Sequence, residues 1–98
     1  MGKHKNIPAI GRIEKRLGVK ERNVGVDFKK GQNLYEYAET VEDIKSSILQ
    51  LQEEEAIGSK RLIVPDSLSG KAISLTEGTE IGVENISGTI KKRSKRKR

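Results

Sequence analysis

Residues 34–51, LYEYAETVEDIKSSILQL, carry the longest apolar periodicity in the chain. Leu34, Tyr37, Val41, Ile44, Ile48 and Leu51 fall at alternating steps of three and four, the spacing of one face of a helix. Asn33 stands at an N-cap position with Glu36 three residues on, and Gly58 follows as a C-terminal stop. The pattern predicts one main helix over about 34–56, with Thr40 as a rival start. Glu36 and Glu39 suit the positive end of its dipole. Glu53, Glu54 and Glu55 oppose the negative end and imply fraying or a basic neighbour.

Beyond Gly58, short apolar runs alternate with turn residues: RLIV (61–64), KAISL (71–75), TEIGV (79–83) and a final TIKKR, with Glu77-Gly78 and Ser87-Gly88 as turn sites. Three or four antiparallel strands over about 61–92 are expected, with Ile73 and Leu75, then Ile81 and Val83, facing inward. The fold class is therefore α+β, one main helix on a small antiparallel sheet. Upstream, residues 1–9 read as a basic arm, and Pro8 biases Ile7 away from helix. Ile10, Ile13 and Leu17 keep helical spacing, and Val24, Val26 and Phe28 alternate as a short strand that Lys29, Lys30 and Gly31 close. One small domain is expected over 10–90, comprising a basic segment at 10–30 and an acidic helix-plus-sheet core at 31–90, followed by a basic tail at 91–98. With three aromatics, Phe28, Tyr35 and Tyr37, the core must be mostly aliphatic.

Charge is the second strong signal. The tail KKRSKRKR (91–98) holds seven bases and no acid, residues 1–30 nine bases against three acids, and residues 31–90 four bases against eleven acids. Two basic ends flank an acidic middle, within a net charge of +6. Such ends suit a polyanionic partner, nucleic acid foremost, because each base that meets a phosphate releases a counterion. The expected contacts are Arg12, Lys15, Arg16, Lys20 and Arg22 in the N-terminal segment, and Lys91, Lys92, Arg93, Lys95, Arg96, Lys97 and Arg98 in the tail. A flexible tail of this kind reads charge, not bases.

Residues 13–24 resemble a helix-turn-helix, with Leu17, Gly18 and Val19 at the turn and Val24 at the apolar position five residues later. The resemblance implies that Lys20, Glu21, Arg22 and Asn23 face the major groove of DNA. Glu14, Gly25 and Asp27 depart from the family's pattern, and a basic helix followed by a strand is the reading the residues favour. The Leu34 to Leu51 seam also has heptad spacing. Its short length and the lack of complementary charges at its flanking positions favour packing on the chain's own sheet, with self-association through Leu34, Tyr37, Val41, Ile44, Ile48 and Leu51 as the alternative.

Catalytic chemistry finds little support in one His and no Cys, and the consecutive Glu53, Glu54 and Glu55 splay around a helix. Gly70-Lys71 fails as a phosphate loop, since Pro65 stands where its first Gly belongs and Ala72 replaces the Ser or Thr. Gly2-Lys3-His4 has the ligands of a copper site once Met1 is removed, and is read as adventitious. Tyr35 and Tyr37, if helical, diverge by about 200° and cannot form one stacking platform. No cofactor or metal is expected. No apolar run is long enough to span a membrane and no export signal opens the chain, so a cytoplasmic or particle-packaged protein is expected. The sequence reads as a non-enzymatic nucleic-acid-binding or packaging factor, the alternative being a structural subunit of a virion or ribonucleoprotein particle.

Overall fold

The computed structural model describes residues 7–95 and is an α+β fold of three helices and a five-stranded mixed sheet. Pro8 opens helix α1 (Pro8–Leu17) with its fixed φ, after an extended Ile7. Gly18, left-handed at φ 76°, closes α1 by donating its N–H to the Glu14 carbonyl at 2.8 Å. Residues 18–27 contain no helix, so the second helix of the helix-turn-helix resemblance is not formed. The Glu21 N–H instead donates to Glu14 Oε2 at 2.8 Å, and the Arg22 N–H to the Asp27 carbonyl at 2.7 Å. The expected strand through Val24, Val26 and Phe28 begins only at Phe28.

Strands β1 (Phe28–Lys30) and β2 (Asn33–Tyr37) form a hairpin across residues 31 and 32. The main helix is therefore shorter than the periodicity suggests. Residues 34–37 are strand, and α2 (Val41–Glu53) starts at the rival N-cap, Thr40, whose Oγ1 accepts the Asp43 N–H at 3.1 Å. Gly58 is needed for a close approach, not for the helix end: a Cβ there would lie 2.5 Å from the Gln32 carbonyl oxygen.

Strand β3 (Lys60–Val64) pairs parallel with β2, and β4 (Gly82–Asn85) parallel with β3. Parallel neighbours require a crossover. Helix α2 supplies the first and α3 (Ser69–Leu75) the second. KAISL is thus helix, not strand, because Leu68, Ala72, Ile73 and Leu75 present one apolar stripe to the sheet. Strand β5 (Ile90–Lys92) returns antiparallel to β4, giving the order β1-β2-β3-β4-β5. The sheet is mixed where an antiparallel one was expected.

Both sheet faces are covered. On one lie α2 and α3, whose Ile44, Ile48, Leu51 and Ala72 pack with Leu34, Leu62, Val64, Ile81 and Val83. On the other lies α1, whose Ile10, Ile13 and Leu17 pack with Phe28, Tyr35, Tyr37 and Ile63. Tyr35 and Tyr37, two apart on a strand, do share a face, and Phe28 pairs opposite Tyr35. All three rings are at most 5% exposed, so this aromatic cluster is core beneath α1 and not a stacking surface. No helix among the described residues is long and apolar enough to cross a membrane.

Candidate functional site

The sheet divides the charges of the chain. Residues 8–20, which form the α1 layer, carry four bases and one acid; residues 39–57 and 69–80, which form the α2 and α3 layer with its connections, carry eight acids and two bases. The two edge strands add Lys29 and Lys30 at one side of the molecule and Lys91 and Lys92 at the other.

Not every expected basic residue faces outward to meet a partner. Arg12, Lys15, Lys20, Arg22, Arg93 and Lys95 are exposed. Arg16 is turned inward: its Nη2 meets Glu84 Oε1 at 2.7 Å and its Nε donates to the Ile86 carbonyl at 3.1 Å. Glu84 is 2% exposed and also faces Arg61, Nη1 to Oε2 at 3.5 Å. A buried carboxylate is tolerable when charged donors surround it, so Arg16 and Arg61 are its counterions and Arg16 fastens α1 to β4. Lys92 is also engaged, with Nζ donating to the Thr76 carbonyl at 2.6 Å and to Thr76 Oγ1 at 3.0 Å. Burial, then the neighbouring Lys95 charge, holds this ammonium below the usual lysine pKa. Lys91 pairs with Asp66 at 3.0 Å. Arg96, Lys97, Arg98 and the Gly2-Lys3-His4 sequence lie outside the described residues.

The tail does not begin at residue 91. Lys91 and Lys92 belong to β5, Ser94 Oγ donates to the Glu80 carbonyl at 3.1 Å, and the Lys95 N–H donates to the same oxygen at 2.9 Å. Gly82 permits this contact, since a Cβ there would stand 2.6 Å from the Ser94 nitrogen.

The basic layer also borders a groove that sequence reasoning missed. The parallel strands β3 and β4 end at Val64 and Asn85, and the loops beyond them meet α1 around a cavity of about 410 Å³ lined by Arg12, Arg16, Pro65, Asp66, Ile86 and Ser87, among others. Asp66 Oδ1 accepts from Asn85 Nδ2 and Lys91 Nζ, both at 3.0 Å. The Asn85 and Lys91 contacts hold its carboxyl below the usual aspartate pKa. Three separated segments build this groove, and no local motif announces it. Among the described residues no group of three or more His, Cys, Asp or Glu side chains is placed to hold a metal.

The Leu34 to Leu51 seam is divided between two elements. Leu34, Tyr37, Ile44, Ile48 and Leu51 are buried within the chain and Val41 is half-buried. Comparison of the chain with known protein families, with characterised proteins and with solved structures found no match.

Proposed function

We propose that this protein is a non-enzymatic nucleic-acid-binding or packaging factor that engages phosphates through its α1 layer and its basic termini. The observation that carries the reading is the separation of charge by the sheet. Exposed Arg12, Lys15 and Lys20 lie in or beside the α1 layer, while the acids that would repel phosphate cluster around α2 and α3 behind it. Electrostatic association of this type draws a polyanion to the α1 side, and Arg93 and Lys95, which follow β5 beside Glu80, supply a second basic patch at the sheet edge. The phosphate contacts are Arg12, Lys15, Lys20, Arg22, Arg93 and Lys95, joined by Arg96, Lys97 and Arg98. Arg16 and Lys92 hold the fold together and act only through it.

The test is the salt dependence of binding to fluorescent DNA and RNA oligonucleotides. Nine phosphate contacts give a slope of log affinity against log salt of about −6 to −8. Removing residues 91–98 whole would also remove most of β5, so the variant of choice ends at Lys95 and carries Arg93→Gln and Lys95→Gln. Each lost contact should flatten the slope by about one unit, to a similar degree for unrelated sequences. Absence of salt-dependent binding to any DNA or RNA at low ionic strength would overturn the reading and reassign the basic ends to an acidic protein surface.

A further inference from the structure

The groove at the carboxyl ends of β3 and β4 combines three features that phosphate binding alone does not require. Its walls include Pro65 and Ile86, apolar side chains on opposite loops. On α1, Arg12 has no ion-pair or hydrogen-bond partner among the described residues, one helical turn from Arg16, whose guanidinium is already fixed by Glu84 and the Ile86 carbonyl. Across from them stands a carboxylate. Asp66 is fixed through Oδ1 by Asn85 and Lys91, while its other oxygen, Oδ2, has no hydrogen-bond partner among the described residues and the side chain is 71% exposed. An acid at the border of a basic layer weakens phosphate attraction, so its fixed orientation suits a ligand that brings an N–H donor as well as a negative charge. A nucleotide has both, together with a flat apolar ring, and a volume of about 410 Å³ lies in the range of small-molecule sites, about 300–1,000 Å³.

We propose that this groove seats one unpaired nucleotide of the bound strand, its base between Pro65 and Ile86, a base N–H on Asp66 Oδ2 and its phosphate on Arg12. The inference rests on the nucleic-acid reading and narrows the partner to strands with unpaired bases. Base pairing occupies the Watson–Crick donors and stacks the rings, so a duplex interior presents neither to such a seat.

Two single strands of equal length and charge decide the matter: one of mixed sequence and one composed of abasic sugar-phosphate units, each titrated by fluorescence anisotropy at fixed salt. The protein should prefer the strand with bases by about tenfold, the scale of a hydrogen bond to a charged group discounted for exposure. A matched duplex differs in phosphate density, so it is read through the variant: Asp66→Ala should bind it no more weakly than the wild type. Asp66→Ala, an exposed substitution whose folding is checked by circular dichroism, should weaken binding to the base-containing strand and erase the preference. Its effect on the abasic strand should be nil or a strengthening, because a negative charge has left a phosphate-binding layer. Arg12→Gln should weaken both strands. Equal affinity of the wild type for both strands, or an Asp66→Ala variant that binds the base-containing strand more tightly, would overturn the seat while leaving the nucleic-acid reading intact. Binding of neither strand would sink the nucleic-acid reading itself.

Discussion

Tyr37 shows how a strand position converts a polar side chain into core. Its ring is 1% exposed beneath α1, and its hydroxyl donates to Glu39 Oε2 at 3.2 Å. Burial, reinforced by the Glu39 carboxylate, pushes its pKa up to about 12 from 10.0. An acid whose pKa is higher in the folded state than in the unfolded state favours folding fully below the unfolded value and loses that contribution as pH rises toward the folded one. Stability should therefore hold up to about pH 10 and fall between 10 and 12, the window set by the shift. Lysines titrate in the same range, so the comparison is with Tyr37→Phe. Denaturant unfolding at pH 9.5 and 11.5 should show a smaller alkaline loss in Tyr37→Phe than in the wild type; identical losses would mean that the phenol is not held neutral by the fold. Glu84 on β4 is another polar side chain taken into the interior, 2% exposed and faced by Arg16 and Arg61.

At the scale of elements, the start of α2 is decided by sign. If the helix began near Leu34, Thr40 would be an interior residue and Thr40→Ala would stabilise it, because alanine is the better helix former. As the N-cap, its Oγ1 accepts the Asp43 N–H, and Thr40→Ala should cost about 1 kcal/mol. Chemical denaturation reads the difference directly, and a stabilised variant would return residues 34–40 to the helix. The three-and-four spacing ran on through β2 because that strand is buried on both faces. Leu34 packs toward α2 and Tyr37 toward α1. A strand of this kind lacks the alternation of apolar and polar residues that identifies a half-buried one. The helical spacing of Ile10, Ile13 and Leu17, the Thr40 cap, the Ile81 and Val83 pair and the turns at Gly78 and Gly88 were legible because each depends on neighbours in sequence. KAISL was not, since five residues cannot separate a buried strand from one face of a short helix. The parallel pairing of β2, β3 and β4 was also hidden, because strand partners are chosen by crossovers and tertiary packing. Of the candidate site, local charge singled out Arg12, Lys15, Lys20 and Arg22, which the fold leaves exposed. The inward turn of Arg16 depends on Glu84, 68 residues away, and the Asp66 groove on three distant segments.

For the whole molecule, net charge is less informative than its placement. A basic chain in which attraction depended on total charge would respond equally to any reversal of two bases. One in which the sheet separates the layers would not. Arg12→Glu with Lys15→Glu alters the α1 layer, whereas Lys45→Glu with Lys71→Glu makes the same change in charge on the opposite layer; all four side chains are exposed. Both pairs leave the buried clusters untouched, so folding should survive in each. The α1 pair should remove two phosphate contacts and flatten the salt slope of oligonucleotide binding by about two units. The α2 and α3 pair should leave the slope unchanged and lower affinity only slightly, since charges farther from the ligand than about 8 Å are largely screened at physiological salt. Equal losses from the two pairs would mean that the polyanion senses the molecule's total charge and that the division of charge across the sheet has no part in binding. The opposite ordering, with the α2 and α3 pair more damaging, would place the partner on the acidic layer and exclude a phosphate backbone as what the α1 layer recognises.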